Sequence, residues 1–389
     1  MSNLTVSVIV PTFNRKVFLW ESLLSLIWQT HPPDQIVVVD DGSTESIAEI
    51  KAEIVKRWTE ITSWKFVRQD TNQGKSVAVN RGLQYATGDL IWIWDDDDLA
   101  DKRRLEKLIP IFEGDGDIGA VHTDAEWFSE DGMAEQWKAE DVNPVQVLRH
   151  KMWGNDWFTI SVMFRRTLLD DLATLEKRYE NGAAAWLSGD IDDSWPLDPR
   201  LERAQDYDLW IRLAWAMMAR GKYHVRAINE KTVRARIHPG KRGIGHRLRP
   251  EEILKRTGGC EQIIFQKVFD RIPIGDIWPG YSTEPYRQVA HLERAFALSM
   301  RQIWDHALYD LRKVNNPELL SVLPAITTIR FLEAAQRTPW EEGRKELSRV
   351  FSGLPDQAIE EAEQILGIAQ RIPADAKPSD KARPMLSFM

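Results

Sequence analysis

This sequence predicts an α/β fold: a Rossmann-like, mostly parallel sheet flanked by helices, followed by a helical C-terminal region. Three observations carry that expectation. Residues 1–130 alternate short apolar runs with longer segments of helical period, the pattern of a parallel sheet covered by helices. One apolar run, Leu90-Ile91-Trp92-Ile93-Trp94, ends in four consecutive carboxylates, Asp95-Asp96-Asp97-Asp98. The carboxyl end of a parallel strand is where an open α/β sheet usually binds its ligand. From about Pro250 onward the periodicity is nearly all helical.

The elements follow in order. Ser7-Val8-Ile9-Val10-Pro11 reads as a buried strand and Val17 to Gln29 as a helix. Gln35-Ile36-Val37-Val38-Val39 is a second strand, Ile47 to Trp58 a helix, and Trp64-Lys65-Phe66-Val67 a third strand. Gly74 to Ala86 is a helix that leads into the acidic strand, and Ile118 to Phe128 is a further strand. Beyond Asn143 the pattern is mixed, with a strand over Ile160 to Phe164, a helix over Tyr207 to Ala219 and an alternating strand over Thr232 to Ile237. Ala173 to Arg200 is irregular and reads as an inserted loop or short helix. Helices are expected over Glu251 to Phe269, Tyr286 to Arg312, Pro317 to Arg337, Trp340 to Phe351 and Gln357 to Arg371, punctuated by Pro and Gly. A Pro- and charge-rich tail closes the chain.

Composition narrows the function classes. The 389 residues are 43% hydrophobic and 28% charged, as in soluble globular proteins. A formal net charge of −8 argues against nucleic acid as partner, since that needs a basic footprint. The single cysteine, Cys260, excludes an intrachain disulfide and fits a reducing compartment. The chain enters a strand almost at once, without a charged-then-apolar leader, and no apolar stretch approaches the roughly 18 residues of a membrane span. A cytoplasmic location is expected, compatible with peripheral membrane contact. Seventeen tryptophans is a high count; most suit the core, and a few suit flat platforms for a ligand.

The chemistry gathers at the strand exits. Four adjacent acids repel one another, and a divalent cation with its preference for hard oxygen ligands is the simplest neutraliser. The same residues also suit a solvated loop with Asp98 or Asp101 capping the next helix. Strand one exits at Val10-Pro11-Thr12-Phe13-Asn14-Arg15 and strand two at Val39-Asp40-Asp41-Gly42-Ser43-Thr44. Asn72-Gln73-Gly74-Lys75, with Ala78 and Asn80, precedes the acidic strand. Taken singly, each is a common turn or helix start.

In this order and spacing the segments resemble the family 2 inverting glycosyltransferases with the GT-A fold, which use nucleotide-diphosphate sugars. The resemblance covers roughly residues 5 to 240. It implies a GT-A domain over 1–245, with a nucleotide-sugar half at 1–130 and an acceptor and catalytic half at 131–245. A helical region at 246–375 and a flexible tail at 376–389 complete the expected organisation. The resemblance places Pro11, Thr12, Asn14, Arg15, Asn72, Gly74 and Lys75 along the nucleotide, with Asp40 on the base, most simply the imide of uracil or thymine. Asp95-Asp96-Asp97 is similar to the family's Asp-x-Asp motif. Asp97 is then the direct ligand of Mn²⁺ or Mg²⁺, with Asp95 nearer the ribose or reaching metal through water, and Asp96 among the nucleotide-binding residues. The four acids leave the register open, so that Asp98 can replace either ligand.

The resemblance also implies a catalytic base in Ala204-Gln205-Asp206-Tyr207-Asp208-Leu209, where Asp206 falls on the base and Gln205 replaces the usual Glu. His238, in Arg236-Ile237-His238-Pro239-Gly240-Lys241-Arg242, falls near the metal or diphosphate. Lys241 and Arg242 lie in a basic, Gly-rich run similar to a lid over the leaving group. The implied partners are a UDP- or dTDP-linked donor and a hydroxyl acceptor such as a glycan or polysaccharide precursor, with Trp153, Trp157, Trp186 and Trp195 as candidate sugar platforms. Two other readings use the same residues: a nucleotide-sugar-binding protein without turnover, and a sugar nucleotidyltransferase. The second needs a Gly-rich loop after strand one, which Asn14-Arg15-Lys16-Val17 lacks.

Overall fold

The computed structural model describes residues 4–60, 62–129, 132, 134–139, 147–152, 159–179, 196–221, 223–237, 250–281, 283–284 and 286–299, with positions 303, 306, 309, 310, 313 and 314. His238, Lys241, Arg242, the four platform tryptophans, the helices expected from Pro317 onward and the tail lie outside them. The chain divides into two compact units, Met1–Cys260 and Glu261–Met389.

The first unit is built on a nine-stranded sheet. β1 (Val6–Thr12), β2 (Gln35–Asp40), β3 (Ser63–Arg68) and β4 (Leu90–Ile93) run in parallel in the order β3-β2-β1-β4. β1 and β4 are buried along their whole length, which explains their near-continuous apolar sequences: a parallel strand is covered on both faces. β3 is the edge, and it alternates exposed and half-buried positions and carries Lys65 and Arg68. α1 (Lys16–Ile27), α2 (Ala48–Trp58) and α3 (Lys75–Leu83) are the crossovers. Leu19, Leu23 and Leu26 of α1 pack with Val8, Val10, Ile36, Val38 and Trp92 of the sheet in one core.

Past β4 the sheet becomes mixed. β5 (Leu99–Ala100), α4 (Arg104–Gly114), β6 (Ile118–Phe128), β7 (Ala134–Trp137), α5 (Val147–Lys151), a 3-10 turn over Thr159–Ser161, β8 (Val162–Arg165), α6 (Thr167–Tyr179), α7 (Gln205–Arg220) and β9 (His224–Arg236) complete it. β8 lies antiparallel between β4 and β6, and β9 runs parallel to β6. Two-residue β5 matters for the site. It pairs antiparallel with Arg234 and Val233 of β9 and so holds the Asp95–Asp98 loop against that strand.

Several elements differ from expectation. α4, β5, β7 and α5 are additional to the sequence reading. α6 occupies Thr167–Tyr179 and so starts ahead of the segment read as a loop or short helix, overlapping it from Ala173; its charged residues blur the apolar stripe. β9 begins at His224, eight residues before the expected Thr232, because His224–Lys231 is half exposed and shows little alternation. β8 begins at Val162, since Thr159–Ser161 coils into the 3-10 turn.

Among the described tryptophans of this unit, Trp92, Trp94, Trp210 and Trp215 are fully buried, while Trp28 is 64% exposed. Trp92 and Trp94 meet edge-on at 4.7 Å between centroids. A buried ion cluster braces α7: Arg212 bonds Asp208 at 2.7 Å, Glu176 of α6 at 3.0 Å and the Pro196 carbonyl at 2.6 Å.

In the second unit, the remainder of α8 (Pro250–Arg271) is followed by α9 (Ile274–Ile277) and α10 (Tyr286–Ser299). Here His291 and Arg294 converge on the fully buried Asp310, at 2.8 and 2.7 Å.

The loop after β2 is fixed by Gly42. Its φ is +72°, and a Cβ there would lie 2.5 Å from the Thr71 carbonyl carbon. Gly42→Ala therefore meets both a left-handed backbone and a backbone clash, and is expected to lower stability by about 1–3 kcal/mol. Denaturant unfolding checks this; a wild-type midpoint would mean that the two loops do not need this close approach.

Candidate active site

Parallel pairing brings the exits of β1, β2 and β4 to one end of the sheet, where they open on a cavity of about 710 Å³. That is within the usual range for a small-ligand site. Pro11, Thr12, Phe13 and Arg15 line it from β1, Asp41 from β2, and Asn72, Gly74, Lys75 and Ala78 from the start of α3. Asp95 to Asp98 line it beyond β4 together with Arg236, and Thr159 and Glu202 to Asp206 complete the lining.

The four acids have different environments. Asp95 is half-buried and bonds Lys75. Asp96 is buried and accepts from Thr12 Oγ1 at 2.6 Å and from Arg15 at 3.1 Å. Asp97 bonds the same arginine. Asp98 is buried and accepts from the Arg236 amide at 2.8 Å, while the Arg236 side chain donates to the Asp97 carbonyl at 3.0 Å. Burial pushes the Asp96 carboxyl up to about 6, with Arg15 opposing and the Asp97 charge adding. Burial, then the charges of Asp97 and Asp95, raise Asp98 well above the usual carboxylate range. Burial works against the Lys75 charge, but Asp95, Asp206 and Asp97 outweigh it and hold that ammonium above its ordinary value.

A divalent cation fits among these acids. Asp95, Asp97 and Asp98 each offer an oxygen, and the three lie within 4.8 Å of one another. Hard carboxylate oxygens crowded in this way suit Mg²⁺ or Mn²⁺, whose charge would relieve the repulsion that raises Asp98.

Two sequence expectations are corrected here. Asp40 is the last rung of the β1–β2 ladder, paired with Thr12. It is 1% exposed, and its carboxylate accepts from the Ser43 amide at 2.9 Å and bonds Arg68 instead of facing the cavity. Asp41, one residue further and on the other face, lines the cavity instead; it accepts from the Gln73 and Gly74 amides at 2.8 and 2.9 Å. Asn14 also faces away. With φ at 54°, it ties the β1 exit to the β2 exit by accepting from the Thr44 amide at 2.8 Å. Arg236, Thr159 and Asp41 are site residues that the sequence alone does not single out. Only Asp41 carries a local signal, as the second acid of its motif.

Asp206 stands at the start of α7. Ala204 before it adopts φ 55°, a left-handed conformation that costs a non-glycine residue about 1–2 kcal/mol. This kink turns Gln205 and Asp206 into the cavity. Asp206 Oδ1 accepts from the Tyr207 amide at 2.9 Å and Oδ2 from Thr159 Oγ1 at 2.6 Å. Asn80 is buried and clamps the segment leading here: its amide exchanges bonds of 2.7 and 2.9 Å with the Leu197 backbone.

An open sheet with acids beyond β4, a lysine at the start of the helix that precedes that strand and a carboxylate at a further helix start, all lining one cavity, defines an α/β protein with a ligand site at the carboxyl end of its sheet. Residues 7–164 match the family Glycosyl transferase family 2, and the mostly parallel sheet with flanking helices has the GT-A arrangement of solved glycosyltransferases. It is 29% identical over 117 residues to an uncharacterised glycosyltransferase of Nostoc sp., covering 30% of this chain and 35% of that protein. It is 27% identical over 196 residues to the GalNAc(5)-diNAcBac-PP-undecaprenol beta-1,3-glucosyltransferase of Campylobacter jejuni, covering 47% of this chain and 59% of that one. The chain thus spans about a third to three-fifths of these relatives. The S. aureus TarS 1-349 structure in complex with UDP-GlcNAc shares the fold, with a TM-score of 0.55 at 17% identity, covering 95% of this chain and 92% of that one.

Proposed function

We propose that this protein is an inverting glycosyltransferase that moves a sugar from a UDP- or dTDP-linked donor to an acceptor hydroxyl, with Asp206 as base. One observation carries the reading: the acids after β4, Lys75 and Asp206 line the same cavity at the carboxyl end of the sheet. The family match supports the reaction class, and the names of the relatives support a nucleotide-sugar donor and a glycan or glycolipid acceptor.

Asp97, with Asp95 and Asp98, would hold Mn²⁺ or Mg²⁺, which supplies Lewis-acid stabilisation of the diphosphate leaving group. The Pro11–Thr12 backbone, Asp41 and Asn72 flank the nucleoside, and Arg15 and Lys75 set positive charge around the phosphates. Asp206 takes the acceptor hydroxyl proton as that oxygen attacks the anomeric carbon. The bond from that carbon to the diphosphate breaks on the opposite face, so one displacement inverts the configuration and no covalent enzyme intermediate forms. By the sequence resemblance alone, His238, Lys241 and Arg242, which lie outside the described residues, would act on the diphosphate in this reading.

No helix among the described residues is long and apolar enough to cross a membrane. A cytoplasmic enzyme meeting its acceptor at a membrane surface fits this reading.

Incubation with UDP- and dTDP-sugars and a panel of glycan acceptors should release the nucleoside diphosphate only when a divalent metal is present. Pyrophosphate formed from a nucleoside triphosphate and a sugar phosphate would replace this reading with nucleotidyl transfer. Donor binding with no release would make the protein a binding module.

A further inference from the structure

We infer that Thr159 is a positioning residue for Asp206, and that it couples the base to the strand that carries the acids. The inference rests on the reading of Asp206 as base. The Thr159 hydroxyl donates to Asp206 Oδ2 at 2.6 Å while the Tyr207 amide donates to Oδ1 at 2.9 Å. Each carboxylate oxygen is thus held by one donor and keeps lone-pair capacity for a proton. Rotation of the carboxylate breaks one of these bonds. Thr159 is itself 7% exposed and lines the cavity.

The position of Thr159 is imposed from below. It belongs to a three-residue 3-10 turn, a form with little stability of its own. Trp92 Nε1 donates to the Ile160 carbonyl at 2.7 Å, and Arg104 Nη2 donates to the Ser161 carbonyl at 2.8 Å. Both side chains are fully buried, and the guanidinium lies over the Trp92 ring at 4.5 Å. Arg104 is further bonded to Thr123 and Thr232, so its fork is oriented from β6 and β9. Trp92 sits in β4, three residues before Asp95. One buried tryptophan therefore sets the spacing between the acids and the partner of the base. Reacting atoms tolerate little misplacement, so a carboxylate freed to rotate loses rate without losing donor affinity.

The experiment compares Thr159→Val, which keeps the shape and removes the donor, with Thr159→Ser, which restores it. Both are also made in the Asp206→Asn background. The readouts are diphosphate release from the UDP-sugar, donor KM, and thermal stabilisation by UDP with Mn²⁺. Thr159→Val should lower kcat about tenfold or more while donor KM and the UDP–Mn²⁺ stabilisation stay unchanged. Thr159→Ser should recover most of that loss, and Thr159→Val should cost nothing further when Asp206 is already Asn. Wild-type kcat in Thr159→Val, or an equal loss in the Asn background, overturns the positioning role and leaves Asp206 as base. Wild-type turnover in Asp206→Asn overturns the base itself, and the positioning role with it.

Discussion

Asp206→Asn should bind nucleoside diphosphate and metal as the wild type does, yet turn over at least about 100-fold more slowly, the scale of general-base effects. The substitution keeps the shape of the side chain. Its amide oxygen can still accept from Thr159 or Tyr207, so α7 keeps its start, but an amide cannot take the acceptor proton. The metal side is untouched because Asp206 is not among the three acids grouped for a cation, and Lys75 keeps its bond to Asp95. Steady-state kinetics with a nucleotide-binding control separates the two effects. Turnover near wild type would remove Asp206 from the role, and a parallel loss of nucleotide binding would mean that it acts through Lys75 on the donor.

Arg212→Ala should destabilise the fold by about 3–5 kcal/mol, the cost of breaking a buried ion pair from one side. The side chains of Arg212, Asp208 and Glu176 are 4%, 2% and 1% exposed, respectively. Burial alone would lower the Arg212 guanidinium; the two carboxylates outweigh it and hold it above its ordinary value. Removing the cation takes the guanidinium from two buried carboxylates and from the Pro196 carbonyl, in the segment that leads to Asp206. Replacing all three residues with apolar side chains of similar volume should cost far less, because breaking and substituting a buried pair are different operations. Denaturant unfolding of the single and triple variants tests this, and equal losses would show that packing, not stranded charge, sets the effect.

The interior of the parallel half was legible because β1, β2 and β4 are covered on both faces, and their sequences say so in unbroken apolar runs such as Val8-Ile9-Val10 and Ile36-Val37-Val38. The acids were legible because four adjacent carboxylates at a strand exit repel one another and demand a neutralising partner. Asp40 and Asp41 were not separable, since adjacent residues at a strand end face opposite sides and a one-residue step decides which meets the ligand. Thr159 and Asp206 lie 47 residues apart, and Arg104 meets the Ser161 carbonyl 57 residues away. Such contacts belong to the tertiary structure and leave no local pattern. Arg236 reaches the site only because β5 draws β9 against the acidic loop.

Thermal stability with UDP, dTDP, GDP and CMP, each with and without Mn²⁺, addresses most directly whether the cavity is a metal–nucleotide site. A ligand at about 100 times its Kd adds roughly 2.7 kcal/mol. UDP or dTDP should give that stabilisation only with Mn²⁺, and Asp97→Ala should abolish it. No stabilisation by any nucleotide, or the same stabilisation with Mn²⁺ withheld, would contradict the assignment of these acids to a metal-held diphosphate.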